Sequence, residues 1–465
     1  MMKMKKNLLW MLILALVAWG CNSQNSKDES DEAADSAANQ VLVSHVNHPD
    51  WSKNANIYEV NLRQYTSQGT INAFVEHLPR LKEMGVDILW FMPVQPIGEK
   101  NRKGELGSYY SVRDYSAINP EFGSMEDFKM MVKRAHELGM KVIIDWVANH
   151  TAWDHGWMND YPEFYAIDST GQMYAPFGWE DVVQLDYVND ALRDAMIGEM
   201  KFWIKEADID GYRCDVAGMV PTDFWDRARR ELDQIKPVFM LAEAEKEALL
   251  VDAFDMDYSF QFHHLSNAIA RGDTSPAAIA AYFDQTEETF PKGVYKMNFT
   301  TNHDENSWNG TVHERYGEGY KIFAVLMATV PGMPLVYSGQ EAGLDKRLEF
   351  FEKDAINWKE YPLQDFYKTL LDLKHRNQAL WNGDHGGKYV PVETDKESVV
   401  AFTRTKNNQS VLVILNLSAE PIDVMLQGEA YAGDYNDVFG NKKITMRDNH
   451  QLRLQAWEYR VYEGL

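Results

Sequence analysis

Cysteine is almost absent from this chain, since only Cys21 and Cys214 occur among 465 residues. Two such cysteines cannot build a disulfide framework, and no histidine and cysteine cluster indicates zinc. Positive charge is also scarce, because 46 Lys and Arg residues face 70 Asp and Glu residues, giving a formal net charge of -24. Nucleic-acid binding depends on neutralising phosphates with cations, so we expect no nucleic-acid partner. The acidity does not disfavour a neutral ligand such as a sugar.

The N-terminus carries an apolar run that is too short to span a membrane. Three lysines within the first six residues precede the uncharged residues 8–17, and Ala18-Trp19-Gly20-Cys21 follows. This pattern predicts a signal peptide over residues 1–20. A small residue directly before Cys21 resembles a bacterial lipoprotein cleavage site, so we expect Cys21 to carry a lipid that anchors the chain to a membrane. An ordinary secretory signal with an incidental cysteine is the alternative.

The next segment, residues 21–45, is predicted to be a disordered tether. Residues 22–40 are polar and acidic and contain no aromatic side chain, a composition that cannot bury enough apolar surface to fold. The run Lys27-Asp28-Glu29 resembles the surface-export signal of lipoproteins from the Bacteroidetes group. We therefore expect a lipid-anchored protein of the bacterial envelope, in the outer membrane, on its periplasmic or surface-exposed face.

Strand-like and helix-like segments alternate over residues 46–380. Alternation of this kind predicts an α/β protein with a parallel sheet, and eight repeats indicate a (β/α)₈ barrel. The eight apolar runs lie at residues 57–61, 87–94, 141–149, 210–216, 237–243, 255–262, 296–304 and 334–339. Residues 151–184 form a loop insertion after the third run, and the short β-type runs of residues 381–465 predict a C-terminal antiparallel β-sandwich.

Four of the eight runs end in side chains that can carry chemistry. In such a barrel the carboxyl ends of the strands face the cleft, so these residues are catalytic candidates. They are Asp145 and His150, Arg213 and Asp215, Glu243 and Glu245, and His303 and Asp304. Alternation along a strand places Arg213 and Asp215 on one face, and we expect this arginine to hold Asp215 ionised and oriented.

Paired carboxylates at neighbouring strand ends favour cleavage of glycosidic bonds. A retaining glycosidase needs a nucleophilic carboxylate and a carboxylic acid roughly 5–5.5 Å apart. Their environments have to separate their two pKa values, and an arginine beside only one of them would do so. Glu245 lies two residues after Glu243 and would face the same side of a strand, so it is the alternative candidate for the proton donor. Glu243 is favoured because the apolar run ends there.

These segments together resemble the conserved regions of the α-amylase family, glycoside hydrolase family thirteen. Further matches are the segments YYSVRDY at residues 109–115, NPEFG at 119–123, PGMP at 331–334 and GQE at 339–341. The resemblance covers the chain from about Trp51 to its end. It implies the same order of barrel, inserted loop and C-terminal β-sandwich.

The resemblance also implies a role for each candidate residue. Among the three catalytic acids, Asp215 is the nucleophile, Glu243 the general acid and base, and Asp304 the stabiliser of the oxocarbenium-like transition state. The side chains implied to bind or support the sugar are Tyr110, which stacks beneath it, Asp145, His150, Arg213 and His303.

Some of these assignments have structural alternatives. Tyr110 could be a core residue with Tyr109 in its place, and both histidines could be merely structural. Cys214 should point away from the cleft and fill apolar space. Four tryptophans could be sugar platforms or loop core: Trp146, Trp153, Trp157 and Trp179.

The chain departs from the family pattern at two places. Gly218 and Met219 stand where many α-amylases carry Lys-His, so the usual endo-amylase contacts are in doubt. Gln184 stands where calcium-binding members often have aspartate, whereas Asn149 matches a family calcium ligand. The resemblance thus implies no required cofactor and leaves a structural calcium ion at Asn149 open.

The expected activity is that of a retaining α-glucan hydrolase, which would cleave α-glucosidic bonds in starch-like polysaccharides or malto-oligosaccharides through a covalent glycosyl-enzyme. An exo-acting α-glucosidase or a glucanotransferase would use the same intermediate. A non-catalytic glycan-binding protein on the same scaffold is a further alternative, disfavoured because all three catalytic acids are present.

Overall fold

The computed structural model describes residues 42–465, so the predicted signal peptide, Cys21 and most of the predicted tether lie outside the described residues. Eight parallel strands close into a barrel in which neighbouring strands follow one another along the chain, as predicted. The strands are Ile57–Val60, Ile88–Phe91, Lys141–Trp146, Gly211–Cys214, Phe239–Ala242, Met256–Tyr258, Tyr295–Asn298 and Met333–Tyr337.

The predicted runs contain these strands but extend beyond most of them. The clearest case is the run at residues 255–262, because only Met256–Tyr258 is a strand and the helix Phe260–Arg271 begins two residues later. Phe262 extends the apolar run, but its side chain lies on the buried face of that helix and does not belong to the strand. Apolar residues of two adjoining elements therefore read as one continuous run.

Helices surround the barrel and cover its outer face. Met125–Glu137 begins with a capping box, in which Ser124 accepts a hydrogen bond from the N–H of Asp127 and the carboxylate of Asp127 accepts one from the N–H of Ser124. This arrangement satisfies free N–H groups of the first turn. The helices are Leu62–Tyr65, Ile71–Val75, Leu78–Met84, Met125–Glu137, Trp157–Asp160, Asp190–Ala207, Thr222–Asp233, Leu249–Asp252, Phe260–Arg271, Ala278–Thr289, Val312–Tyr316, Tyr320–Thr329 and Gln364–Arg376. Among residues 42–465, none of the helices combines the length and the apolar character needed to cross a membrane.

The insertion after the third strand is held to the barrel by a short antiparallel pair. Strand His150–Ala152 pairs with Val182–Gln184, so the two ends of the insertion lie side by side. Trp157 is buried and packs in the main core, as does Trp146 at the end of the third barrel strand. Both tryptophans are therefore core residues and not sugar platforms.

The C-terminal residues form a six-stranded antiparallel sheet and a two-stranded sheet. The larger sheet contains, in spatial order, Val390–Val392, Val399–Lys406, Gln409–Asn416, Tyr459–Gly464, Gly433–Asp437 and Lys442–Met446, and the smaller one pairs Ile422–Met425 with Gln451–Leu454. Leu412 and Ile414 of the first sheet pack with Val424 and Leu454 of the second. This is the predicted sandwich.

One buried arginine joins the sandwich to the barrel. Arg404 is 1% exposed and donates hydrogen bonds to the carbonyl oxygens of Thr329 and Val330, at the C-terminal end of the helix Tyr320–Thr329. It also donates to the carbonyl of Gly387 in the connecting segment. Carbonyl groups satisfy this guanidinium without any carboxylate.

Candidate active site

The guanidinium of Arg213 lies at the centre of the candidate site and is completely buried. It belongs to the fourth barrel strand, which begins at Gly211. A side chain at Gly211 would put its Cβ atom 1.9 Å from the carbonyl oxygen of Phe239, so this position requires glycine. This close approach lets the fourth and fifth strands pair at Gly211 and Phe239. The catalytic candidates Arg213, Asp215 and Glu243 come a few residues later in the same two segments.

Three carboxylates surround this guanidinium. Asp145 is the register partner of Arg213 on the third strand and lies 2.8 Å from Nη1. Asp215 lies 3.1 Å from the same nitrogen, and Glu243 lies 2.7 Å from Nη2. The cluster of three acids and one arginine carries an excess of negative charge. The structure thus brings Asp145, Arg213, Asp215 and Glu243 together, as the sequence predicted.

The expectation that the arginine would contact only one catalytic carboxylate was wrong, because Arg213 contacts both. The N–H of Glu243 donates to the carbonyl of Cys214, so strand register sets this acid beside Asp215. Burial raises the pKa of Asp215 well above its ordinary value, nearby Glu243 adds to the rise, and Arg213 opposes it. The arginine therefore orients Asp215 and opposes the rise in its pKa, but burial and Glu243 outweigh this effect, so the carboxyl group holds a proton to higher pH than an isolated aspartate would.

Glu243 and Glu245 lie in different surroundings. Oε2 of Glu243 accepts a hydrogen bond of 2.7 Å from the N–H of Val216, whose backbone is left-handed with φ 37°, an unfavourable conformation for a β-branched residue. Glu245 instead pairs with Lys296 at 3.3 Å and accepts the N–H of Gln261. The alternation of side chains along a strand cannot distinguish Glu243 from Glu245, because the strand ends at Ala242 and neither acid belongs to it.

Asp304 and His303 follow the seventh strand, and the sequence prediction missed Glu59, the partner of His303. Nδ1 of His303 lies 2.5 Å from Glu59, and Nε2 lies 3.4 Å from Asp304. Burial lowers the pKa of His303, but the carboxylates of Asp304 and Glu59 outweigh burial and raise the pKa to about 9. The signal for Glu59 was present, since it is a single acid inside an apolar strand.

Tyr110 faces the cluster, whereas Tyr109 belongs to the core. The hydroxyl of Tyr110 donates to Asp145 at 3.0 Å and lies 2.8 Å from Nε2 of His303. Protonated His303 donates to this hydroxyl, so a hydrogen-bond chain runs from the histidine through the tyrosine to the aspartate. Tyr109 is 1% exposed, and its hydroxyl donates to Asn61.

His150 is on the first strand of the insertion, where its ring contacts Trp179 edge-to-face at 5.4 Å. Burial lowers the pKa of His150 to about 4, so its imidazole is neutral at neutral pH. A neutral ring has one donor and one acceptor nitrogen. The two histidines of the site are therefore in different protonation states.

The residues around Asn149 do not fit the calcium ion that the resemblance left open. Nε2 of Gln184 donates to the backbone and side-chain oxygens of Asn149 and to the carbonyl of Leu185, at 2.9, 3.1 and 3.1 Å. An amide donor thus contacts the oxygens that a cation would need. Turning the amide over would set its oxygen against three oxygens, so the network fixes its orientation.

Other metal and thiol chemistry has no support among residues 42–465. No group of three or more His, Cys, Asp or Glu side chains in this range is placed to hold a metal ion. Cys214 is completely buried in the main core, and burial raises the pKa of its thiol well above the usual value. Its position confirms that the cysteine fills apolar space behind the site.

The comparison with protein families agrees with this geometry. A family model described as the catalytic domain of α-amylase matches residues 28–164 and 163–419, well over half of the chain. The chain belongs to the α-amylase family. A second model, described as the C-terminal domain of the α-amylase SusG, matches residues 399–461 within the sandwich.

Individual members of the family resemble the chain over most of its length. The α-amylase MalA of Haloarcula japonica is 28% identical in an alignment 433 residues long, which covers 86% of this chain but only 61% of that protein. A maltogenic α-amylase from Thermotoga neapolitana, AmyB, superimposes with a TM-score of 0.81 at 31% identity, over 89% of this chain and 99% of that one. An α-amylase from Lactobacillus plantarum gives a TM-score of 0.80 at 29% identity, over 89% and 100%.

Proposed function

We propose that this glycoside hydrolase cleaves α-glucosidic bonds with retention of configuration, with Asp215 as nucleophile and Glu243 as general acid and base. The observation that carries the proposal is that one guanidinium, that of Arg213, contacts both carboxylates at the ends of adjacent strands. Two acids that share so small a group lie close together, and retention needs a separation of about 5–5.5 Å.

In the first step an oxygen of Asp215 attacks the anomeric carbon, and the bond from this carbon to the glycosidic oxygen breaks. The proton of Glu243 passes to that oxygen, so the leaving sugar departs as a neutral alcohol. This step requires one proton on Glu243 and an ionised carboxylate on Asp215. Asp304 is proposed to bind sugar hydroxyls and to stabilise the positive charge of the transition state.

In the second step water replaces the leaving sugar. Glu243 takes a proton from the water, whose oxygen forms a bond with the anomeric carbon while the ester bond to Asp215 breaks. Two inversions restore the original configuration. Tyr110 presents the flat face of its ring for the sugar, while the charged His303 and the neutral His150 offer different hydrogen-bonding partners to its hydroxyls.

Starch-like polysaccharides and malto-oligosaccharides are the proposed substrates. The similar proteins are named as α-amylases, maltogenic α-amylases and cyclomaltodextrinases, and AmyB is called a noncanonic maltogenic α-amylase. Because the chain spans 61% of the length of MalA, the names of such relatives support the substrate class and not a specific product.

Two variants and the stereochemistry of the first product test this function. The variant Asp215→Asn should lose turnover but keep the fold and sugar binding. Glu243→Gln should keep activity only on substrates whose leaving group needs no protonation, and Glu245→Gln is its matched control. Proton NMR of fresh hydrolysate should show the α-anomer first. Normal turnover by Asp215→Asn, or the β-anomer first, would overturn the proposal.

Exo-action and glucan transfer remain alternatives on the same scaffold, because the intermediate is shared and only the acceptor or the cleft ends differ. Digestion of maltoheptaose, with products resolved by size, separates them. Mixed shorter products indicate endo-action, glucose or maltose alone indicates exo-action, and products longer than the substrate indicate transfer.

We also propose that the chain is a lipoprotein of the Bacteroidetes type, anchored in the outer membrane through Cys21. Support comes only from the basic start, the short apolar run and the acidic segment after Cys21. The variant Cys21→Ser should move the protein from the membrane fraction to the soluble fraction. An unchanged distribution would contradict lipid anchoring.

A further inference from the structure

Three aromatic side chains that have no assigned role form a continuous surface beside the catalytic acids. We propose that this aromatic platform, made by Trp308, Phe350 and Phe351, binds a glucose unit of the substrate beyond the unit being cleaved. The inference rests on the proposed function and extends it, because it predicts that longer glucans bind more tightly through this surface.

The platform is partly exposed, because Trp308 is exposed whereas Phe350 and Phe351 are half-buried. Trp308 is 48% exposed, more than any other tryptophan among residues 42–465. Its ring centroid lies 5.1 Å from that of Phe350 and 5.9 Å from that of Phe351. An exposed tryptophan that continues into two half-buried phenylalanine rings is apolar surface of the kind that serves in binding sites.

The platform continues directly into the catalytic site. The rings of Phe350 and Tyr110 are nearly parallel, at 14°, with centroids 6.3 Å apart. On the other side, the indole N–H of Trp308 donates to Asp304 at 3.2 Å. A glucan whose cleaved unit lies against Tyr110 would therefore meet the platform with an adjoining unit.

The platform is held rigidly by the polar contacts of its two segments. Trp308 lies in the π-helical turn Glu305–Asn309, a type of turn often found at functional sites. The amide of Asn306 donates to the carbonyl of Lys346 and accepts the N–H of Leu348, and the hydroxyl of Ser307 donates to the carbonyl of Leu348.

The second segment is fixed from the other side as well. The amide of Gln64 donates to the carbonyls of Glu349 and Glu352, which flank the two phenylalanines. Rings held in this way lose little conformational entropy when a ligand binds. The flat faces of Trp and Phe suit the C–H faces of a glucose ring, whereas Asp304, whose side chain is 43% exposed, offers oxygens to its hydroxyls.

Binding measured in the Asp215→Asn full chain tests the inference without turnover. Isothermal titration with maltoheptaose and with maltose gives the ratio of the two affinities, and Trp308→Ala should lower this ratio about threefold to tenfold. The control Trp308→Phe keeps a flat ring but loses the N–H that contacts Asp304, and it should retain most of the ratio.

Two outcomes would overturn the inference. An unchanged ratio in Trp308→Ala would show that the platform does not bind glucan. A Phe variant as impaired as the Ala variant would show that the residue acts only by positioning Asp304. Failure of the proposed function is separate, since it would appear as an inactive wild-type enzyme on every glucan tested.

Discussion

Replacing Arg213 with methionine should destabilise the protein in a pH-dependent way. The side chain is fully buried, and its loss removes the one cation that contacts Asp145, Asp215 and Glu243 directly among the described residues. Removing one partner of a buried ion pair typically costs about 3–5 kcal/mol. The free energy of unfolding of a native protein is about 5–15 kcal/mol, so this cost is a large fraction of it. Methionine has a similar length, so packing changes little.

The sign of the pH dependence follows from the buried acids. Burial already raises the pKa of Asp215 above that of an unfolded aspartate, and removing Arg213 raises it further. The folded variant therefore binds more protons than the unfolded chain, and its stability increases as the pH falls. We expect the stability deficit of the variant to be larger at pH 8 than at pH 5.5.

Denaturant unfolding followed by tryptophan fluorescence at both pH values measures this deficit. Arg404→Met is the matched control, because that arginine is equally buried but bonds only backbone carbonyls. Burial lowers the pKa of Arg404 to about 9, so its charge is constant between pH 5.5 and pH 8. A deficit for Arg213→Met below about 1 kcal/mol, or one as independent of pH as the control, would refute the reasoning.

Two further predictions concern the charged histidine and the amide beside the insertion. The variant Glu59→Gln removes one of the carboxylates that raise the pKa of His303 to about 9, so the alkaline limb of kcat/KM should move to lower pH; an unmoved limb would show that His303 does not control it. Gln184→Ala removes three hydrogen bonds and should lower the free energy of unfolding by about 1–3 kcal/mol, while a calcium chelator should leave the thermal midpoint of the wild type unchanged. A midpoint that falls with chelator would contradict the misfit with calcium.

Sequence reasoning located the strand ends well, because alternating apolar runs and helices restrict a chain to few topologies. Asp215 and Glu243 each follow a buried strand that ends within a residue of them. The contacts of Arg213 were less predictable, since they depend on the register between neighbouring strands. Only the folded barrel places Asp145 in register with this arginine.

The residues that sequence reasoning missed are those whose partners come from distant segments. Glu59 contacts His303 across 244 positions of the chain, and its only local signal was an acid within an apolar strand. Trp308 reads as an ordinary loop residue until the π-helical turn and the segment after the eighth strand bring it beside Phe350. Neither contact can be inferred from periodicity.

Covalent trapping tests the central claim most directly. A glucosyl fluoride with a second fluorine on the ring forms the ester quickly and hydrolyses it slowly, so the glycosyl-enzyme accumulates for peptide mass spectrometry. We predict one added sugar per chain, on the peptide that contains Asp215 and at that residue. A sugar on Glu243 or Asp304, or no covalent adduct on a chain that still hydrolyses the reagent, would contradict the account.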